Sequence, residues 1–408
     1  MSLGGAVRGQ LGGYRSLLRL RDYRLLWSAQ VASTFGDRLT QIALTTLVFA
    51  LTGSDLSIGL VLTLTVLPRA VFGLLAGAVA DRVSRKSLLI TTDLARALIV
   101  LVLAVVADLP LSAIYLLAAL HATATVFFTP TRYAVLPDIV PQEHLLAANT
   151  LDETTQSALD PVAFLVGGAI VAGVGVRLGF AVDTATFVLS ALLIALTTAR
   201  GAAQWHGREG GRLTEGLADG LKVLWRQPAL RANTLLMLFA ATIASAEMPL
   251  SYMMVMTHWR TGPFGLGILE AGLAIGFVVG AVACQSVVQR VGKGPTILIG
   301  LVGTGITMAA VAVLPFWLAV AVNAVSGAFN ILFFVPTLTL HQELAPPAAR
   351  ARVLASRGAL MAVALFVSYA LATWLTTITA PAVVMGVMGL VLTGGALLAA
   401  LVPELRRR

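Results

Sequence analysis

The stretch GAVADRVSRK, residues 77–86, places four charged side chains directly between two long apolar runs. A charge at the centre of a membrane helix costs about 2.5–3.5 kcal/mol on insertion scales, so such a cluster marks a point where the chain leaves the bilayer. A weaker copy, QRVGK at 289–293, follows a second apolar run in the other half of the sequence. The two stretches indicate a membrane protein built from two related halves.

The overall composition also indicates a protein whose solvent is lipid. The 408 residues are 58% hydrophobic and 12% charged, and the mean hydropathy is +0.90. A soluble domain is about half apolar and a quarter charged, and it could not bury this much apolar surface. One cysteine, Cys284, excludes an intramolecular disulfide, and the five histidines lack the spacing of metal ligands. We therefore expect neither a metal nor a cofactor.

Twelve apolar stretches are long enough to cross a bilayer, which takes about 20 residues. They are 24–51, 57–80, 87–107, 111–129, 147–173, 177–199, 230–256, 264–288, 295–313, 316–339, 354–377 and 380–402. One long polar gap divides them six plus six, and apolar residues recur at helical spacing within it, over 213–225. This pattern predicts a short amphipathic helix on the membrane surface.

The same division gives the domain boundaries. We expect a tail at 1–23, a first six-helix half at 24–199, a linker at 200–229, a second half at 230–402 and a basic tail at 403–408. Most of the 28 Lys and Arg residues fall on the side that holds both termini, which predicts that this side faces the cytoplasm. The positions of the basic residues thus indicate how the chain is oriented in the membrane. Attraction to anionic lipids is a second interpretation of the basic charge. We do not expect the protein to bind nucleic acid.

A second pair of matching segments supports the repeat. FFTPT at 127–131 matches FFVPT at 333–337, at nearly the same offset that relates the two charged stretches. Both pairs lie at corresponding ends of corresponding spans, and six spans separate the members of each pair, so the halves run parallel. Two parallel halves form a known transporter plan, with the substrate site between them near the midplane.

The charged stretch itself carries a family resemblance. Gly77, Asp81, Arg82, Arg85 and Lys86 match the signature Gly-x-x-x-Asp-Arg-x-Gly-Arg-Lys of the major facilitator superfamily, with a serine, residue 84, in place of the usual glycine. The chain resembles this superfamily over essentially its whole length. The resemblance implies an all-α membrane protein with twelve transmembrane helices in two six-helix, parallel-repeat halves.

The resemblance also implies a role for the signature, which would latch the outward-open state of the transporter. In the second-half echo, Arg290 and Lys293 keep the cations, whereas Gln289 stands where Asp81 would be. The acidic member of the latch is therefore expected in one half only, at Asp81.

Three further segments resemble the bacterial drug, macrolide and siderophore exporters of the superfamily: residues 24–44, 94–101 and 130–141. Lysophospholipid transporters share the elements FGD and P-x-(R/K)-Y. Proton-coupled exporters often carry Gly-Pro-x-x-Gly-Gly in the fifth helix. Here Asp160-Pro161 is followed by glycines only at 167 and 168, a departure from that pattern.

Charged residues within the spans are the candidates for proton coupling. Asp37 and Glu247 lie near the middle of the first and seventh spans, at nearly equivalent positions of the two halves, and Asp160 lies in the fifth. A carboxyl removed from water can exchange a proton near neutral pH. The alternative is a permanent ion pair, for Asp37 with Arg38 or Arg69.

Arg38, Arg69, His121 and Pro249 are the candidates for the substrate cavity. Arg69 would bind an anionic substrate or neutralise an acid, and His121 would either titrate or pack through a hydrogen bond. Pro249 follows Glu247 by two residues and would bend the seventh span, because proline removes a backbone donor.

Several other residues within the spans are expected to have mainly structural roles. Asp93 and Arg96 would form an i,i+3 pair. Asp183 and Glu270 lie nearer the outer ends of their helices and would form gating pairs or belong to a solvated rim. Glycines spaced by four predict close helix packing; they are Gly73, Gly77, Gly272, Gly276 and Gly280.

Together these features predict a secondary transporter in the bacterial cytoplasmic membrane, with both termini in the cytoplasm, working by alternating access as a monomer among membrane lipids. The resemblance implies export of amphipathic drugs or siderophore-like molecules in exchange for protons, with the proton gradient in place of any cofactor. The alternatives are a lysophospholipid flippase, a nutrient importer or a non-transporting receptor. We expect no enzyme, because the sequence has no phosphate-binding Gly-x-x-x-x-Gly-Lys-Ser/Thr loop and no evident nucleophile and base.

Overall fold

The computed structural model describes residues 17–198 and 213–401. Within those ranges, the side chains of residues 74, 78, 81, 146, 213–216 and 348 are not described. The expected basic tail at 403–408, and most of the expected tail at 1–23, lie outside the described residues. The described chain is helical throughout and contains no strand.

Six helices make up the first half of the sequence. They are α1 (Arg21–Thr52), α2 (Asp55–Arg82), α3 (Arg85–Val105), α4 (Leu111–Ile139), α5 (Leu145–Val174) and α6 (Val176–Ala195), with a short 3₁₀ turn at Gln142–His144. The amphipathic stretch of the linker forms α7 (Leu213–Arg226). Each helix lies within a few residues of its predicted span except α4, which continues ten residues beyond the predicted end at 129.

The second half contains a broken seventh span and five continuous helices. The broken span consists of α8 (Pro228–Ala244), α9 (Glu247–Met253) and a π-helical turn at Met254–His258. The others are α10 (Gly262–Val291), α11 (Lys293–Val311), α12 (Phe316–Leu344), α13 (Arg350–Leu375) and α14 (Pro381–Ala399), with a 3₁₀ turn at Pro347–Ala349.

Eleven membrane-spanning segments in the described chain are long and apolar enough to cross a bilayer, counting Pro228–His258 as one. The twelfth, α1, has 32 residues but a mean hydropathy lowered by polar residues along its length, Asp37, Arg38 and Gln41 among them. The prediction of a twelve-helix membrane fold is confirmed.

The charged stretch 77–86 ends α2 and starts α3 as its sequence indicates. Ser84 is the N-cap of α3, and its side chain accepts a hydrogen bond from the Ser87 backbone N–H. At the corresponding position in the second half, Gly292 joins α10 to α11 with a φ of 89°, a conformation that glycine adopts without steric cost. The two halves thus make the same connection by different means.

The chain divides into two compact units: Met1–Leu47 with Val71–Gly207, and Val48–Ala70 with Arg208–Arg408. We call their described parts the first and second units. The first packs an apolar core between α1, α3, α4 and α6, with members that include Leu26, Leu89, Phe128 and Ile194. The second packs a core between α8, α11, α12 and α14, with members that include Met237, Leu301, Phe333 and Leu392.

The glycine stripe on α10 packs as predicted. A Cβ atom on Gly276 would lie 1.9 Å from the Ala324 carbonyl oxygen, and one on Gly280 would lie 2.6 Å from the Ala328 carbonyl oxygen, so α10 and α12 meet backbone to backbone. The prediction is wrong for Gly77, where a Cβ would meet no described atom within 4 Å.

Candidate functional site

A buried arginine organises the polar interior of the first unit. Arg96, on α3, has no exposed surface. Its Nη1 lies 3.1 and 3.2 Å from the two carboxylate oxygens of Asp37, and its Nη2 contacts Asp93. Its guanidinium carbon lies 4.4 and 4.5 Å from the ring centres of Phe128 and Phe187. This arrangement satisfies a buried cation by ion pairing and by cation–π contact.

The expected Asp93–Arg96 pair is therefore confirmed, but it is part of a larger network. Asp93 has no exposed surface, and its second oxygen accepts a 2.6 Å hydrogen bond from Ser190 on α6. Asp37 pairs with Arg96, so the expectation that Arg38 or Arg69 would be its partner is wrong.

Asp37 is the accessible end of this network. Its side chain is 26% exposed, whereas that of Arg96 is wholly buried. Thr125 Oγ1 lies 3.4 Å from the carboxylate, and His121 Nε2 lies 3.9 Å from it. The described residues offer His121 Nε2 no hydrogen-bond partner. A proton-coupling candidate and a cavity candidate thus lie side by side.

Asp183 joins the same interior from α6 and has no exposed surface. Thr186 Oγ1 lies 3.0 Å from its Oδ1, and Thr40 Oγ1 contacts its Oδ2. The expectation that Asp183 and Glu270 lie at a solvated rim is wrong, because Glu270 is buried as well. The sequence does show a carboxyl within an apolar span, but not which way it faces.

Arg38 and Asp160 form a second ion pair. Nε and Nη2 of Arg38 lie 2.9 and 3.1 Å from the two oxygens of Asp160, and the guanidinium lies 5.1 Å from the centre of the Phe164 ring. Adjacent residues on a helix point about 100° apart, which explains why Asp37 and Arg38 reach different helices. Both members of this pair are about one-third exposed.

Glu247 is a buried acid of the second unit. Its carboxylate lies 3.3 and 3.5 Å from Ser326 Oγ on α12. Within the described chain no Lys, Arg or His side chain comes within 4 Å of it. Glu247 starts α9 directly after the break at Ser245 and Ala246. Pro249, where a bend was expected, has no N–H to offer the Ser245 carbonyl one turn earlier.

Arg69 is exposed, and the described residues form no ion pair or hydrogen bond with it. The cavity candidates therefore fall in different surroundings: His121 and Arg38 beside acids, Pro249 buried in the broken span, and Arg69 on the surface of the second unit.

The cations of the charged stretch fasten helix ends within the first unit. Arg85 Nη1 lies 2.8 Å from the Ala134 carbonyl oxygen and 3.0 Å from Asp138, at the end of α4. Lys86 Nζ binds the carbonyl oxygens of Ala195 and Thr197 at the end of α6, where a cation satisfies unpaired carbonyls.

The remaining residues of the two signatures stay at the surface. Arg82 and Arg290 are exposed. Lys293 pairs with Glu343 in the second unit, as Arg85 pairs with Asp138 in the first. The side chain of Asp81 lies outside those that the structure describes.

One buried ion pair was not anticipated. Arg132 Nη1 lies 2.7 Å from Asp152 Oδ2, and the Tyr23 hydroxyl lies 3.2 Å from Asp152 Oδ1. Arg132 is 4% exposed. Its position within the long helix α4, between Pro130 and Pro137, is the sequence signal for burial.

No group of three or more His, Cys, Asp or Glu side chains in the described ranges is arranged to hold a metal ion. The polar interior is instead made of ion pairs and of carboxyl groups held by hydroxyls.

Comparisons with known proteins place this fold in a family. Residues 14–407 match the family described as transmembrane secretion effectors. The chain is 25% identical over 357 residues to macrolide efflux protein A of Streptococcus pyogenes, covering 85% of this chain and 87% of that protein. It is 26% identical over 337 residues to the enterobactin exporter EntS of Salmonella typhi, covering 81% and 80%.

A solved structure shows the same fold at greater distance. A point mutant of the peptide transporter POT, in complex with alafosfalin, superposes with a TM-score of 0.75 at 14% identity, covering 94% of this chain and 95% of that one. A structural match at such low sequence identity supports the transporter fold, but it does not support a particular substrate or mechanism. The chain therefore belongs to the transmembrane secretion effector family of the major facilitator superfamily, and it is a multi-pass bacterial membrane transporter rather than an enzyme.

Proposed function

We propose that this protein exports amphipathic organic molecules, of the macrolide or siderophore kind, in exchange for protons. The two relatives described above support the cargo class, because each is named for the export of such a compound and the alignments cover 87% and 80% of their lengths. Macrolides and enterobactin both combine a large lactone ring with polar groups. A cavity that accepts one such molecule needs an apolar wall and a few polar contacts.

The observation that carries proton coupling is the burial of Glu247 without a described cation. An ionised carboxylate removed from water is costly unless a positive charge or several hydrogen bonds compensate it. Ser326 alone supplies a polar contact in the described structure. Glu247 thus holds a proton while it is enclosed and releases the proton when water reaches it.

Asp37 gives the first unit a complementary acid. It pairs with Arg96, while its partial exposure leaves one side open to a cationic group of a cargo molecule or to a proton. A proton or a cargo cation on Asp37 would compete with Arg96 for the carboxylate. Arg38 and Asp160 form a second partly exposed pair that can open in the same way.

We also propose that the protein works as a monomer with both termini in the cytoplasm. The support for this orientation is the concentration of Lys and Arg on the side of the membrane that holds the termini. Anionic headgroups would add attraction on that side.

The test uses purified protein in liposomes, with radiolabelled erythromycin, enterobactin and a fluorescent lysophospholipid as probes. Accumulation is measured with and without an imposed pH gradient. We expect erythromycin or enterobactin to accumulate only with the gradient, and the lysophospholipid not to move. Equal movement with and without the gradient would exclude proton coupling, and movement of the lysophospholipid alone would favour a flippase.

A further inference from the structure

The first unit contains a carboxyl group whose surroundings resemble those of Glu247. Asp183 is completely buried, and the polar side chains in contact with it are the hydroxyls of Thr40 and Thr186. Among the described residues no Lys, Arg or His side chain comes within 4 Å of Asp183. Hydroxyls stabilise a buried negative charge far less than an ion pair does.

The hydrogen bonds around Asp183 fit a neutral acid. Thr186 Oγ1 lies 2.8 Å from the backbone carbonyl oxygen of Asp183 and 3.0 Å from its Oδ1. A hydroxyl has one hydrogen to donate. If that hydrogen goes to the backbone carbonyl, the contact with Oδ1 needs a hydrogen from the carboxyl. Thr40 then donates to Oδ2, and each contact has one donor and one acceptor.

The balance of charge favours the same state. The charged groups that act on Asp183 are Asp37 on α1 and Arg96 on α3; Arg96 also pairs with Asp93, and His121 on α4 lies 3.9 Å from Asp37. Both other carboxylates bind Arg96 directly, so its positive charge is already shared. A third carboxylate in this interior would add a buried negative charge without a cation of its own, which is costly.

The backbone of α1 is shaped around this carboxyl. A Cβ atom on Gly36 would lie 2.2 Å from Asp183 Oδ1 and 2.4 Å from Thr186 Oγ1. Such distances are far below van der Waals contact, so residue 36 must lack a side chain for Asp183 to sit against α1. Gly36, the residue before Asp37, therefore lets the Asp183 carboxyl lie against the backbone of α1.

We propose that Asp183 is a second proton-carrying residue of the transport cycle, held protonated between α1 and α6 in this conformation. Its proton passes to water when α1 and α6 part, which leaves a carboxylate. Arg96 has a buried Nε–H without a hydrogen-bond partner among the described residues, so the guanidinium has a donor left for that carboxylate. The proposal deepens the proton exchange suggested above, because it adds a proton site in the half that lacks Glu247.

The direct test is infrared spectroscopy of the purified protein in lipid at neutral pH, where a protonated carboxyl gives its own carbonyl band. The variants are Asp183→Asn, Glu247→Gln and, as a matched control, Asp108→Asn, an exposed acid in the loop after α3. We expect Asp183→Asn to remove part of the band, Glu247→Gln to remove another part and Asp108→Asn to remove none. A full band in Asp183→Asn would overturn the proposal.

Two further measurements keep the test independent of folding. Asparagine offers Thr40 an acceptor and Thr186 a donor, as the neutral acid does. Asp183→Asn should therefore unfold at the wild-type temperature. A large fall in the unfolding temperature would indicate an ionised, structural aspartate. Thr40→Val should shift the Asp183 part of the band, because it removes a hydrogen bond to the carboxyl. No shift would contradict the assignment.

The transport role is tested separately with erythromycin in liposomes. Asp183→Asn should lose accumulation driven by a pH gradient but retain exchange of labelled for unlabelled erythromycin. Wild-type accumulation in this variant would overturn the coupling role even if its infrared band is lost. If wild-type protein itself ignores the gradient, the proposed antiport fails, while the infrared result still decides the protonation of Asp183.

Discussion

At the scale of single residues, one guanidinium serves two carboxylates in the first unit. Arg96 binds Asp37 and Asp93 at once and makes cation–π contacts with two phenylalanine rings. Removing one partner of a buried ion pair costs more than the pair itself contributes, because the remaining charge stays buried. The stability of this unit should therefore depend on Arg96 far more than on any exposed arginine.

Arg96→Leu should destabilise the protein by about 3–5 kcal/mol, because it leaves two carboxylates without their cation. The measurement is unfolding in denaturant, followed by tryptophan fluorescence. Arg290→Leu removes an exposed arginine and serves as the control. An equal loss of unfolding free energy in the two variants would show that the Arg96 network stabilises the protein no more than an exposed arginine does.

Glu247→Gln should fold and bind erythromycin as wild type does, because glutamine keeps a polar contact with Ser326 and has no charge to bury. It should lose accumulation driven by the pH gradient, because an amide cannot carry a proton. Transport in liposomes with and without a gradient measures this. Glu143→Gln, at an exposed glutamate, is the control, and gradient-driven accumulation in Glu247→Gln would rule out Glu247 as the coupling acid.

At the scale of helices, the two units pack by different means. In the first, α3 and α6 enclose hydrogen-bonded and charged groups, as in the contact of Ser190 with Asp93. In the second, α10 and α12 meet through glycines, with the Ala324 carbonyl close against Gly276. Small residues permit such close contact between helices in lipid. The cost of adding a methyl group should therefore depend on where the glycine lies.

Gly276→Ala should lower the free energy of unfolding by about 1–3 kcal/mol, the usual cost of an overpacked contact. The Cβ would overlap a backbone oxygen that cannot move without shifting α12. Gly394→Ala, where a Cβ would meet no described atom within 4 Å, is the matched control and should be neutral or slightly stabilising. Thermal unfolding measures the stability of both variants. Equal stability of the two variants would exclude the tight contact at Gly276.

At the scale of the whole molecule, the repeat is kept at the helix ends and lost in the interior. Arg85 with Asp138 and Lys293 with Glu343 make corresponding ion pairs in the two units. The interior of one unit holds the Arg96 network, whereas Glu247 in the other contacts Ser326. Symmetry at the ends preserves the fold, and asymmetry inside gives each half its own chemistry.

The charged stretch leads to a prediction about the conformational balance of the transporter. Asp81→Ala should lower erythromycin transport while leaving erythromycin binding intact, as its resemblance to the superfamily signature implies for a latch residue. Binding is measured by equilibrium titration and transport in liposomes. Gln289→Asp, at the corresponding position of the second half, is the companion variant and should retain binding. Lost binding in Asp81→Ala with an unchanged balance between inward-open and outward-open states would argue against a latch.

The sequence by itself determined the membrane environment, the spans, the repeat and the family. These features depend on hydropathy, charge and motif spacing along the chain, which are local and can be read without knowing any contact. The same local rules located the acids at Asp37, Asp160 and Glu247, the amphipathic α7 and an irregularity of the seventh span near Pro249.

Only the tertiary structure decided which partner each charge takes. Asp37 could have met Arg38 or Arg69 on sequence grounds, yet it binds Arg96, while Arg38 binds Asp160. The choice depends on how each helix is rotated about its axis, and that rotation is set by the packing of all its neighbours at once. For the same reason, the sequence placed an acid at Asp183, and only packing against Gly36 shows that it is buried between two hydroxyls.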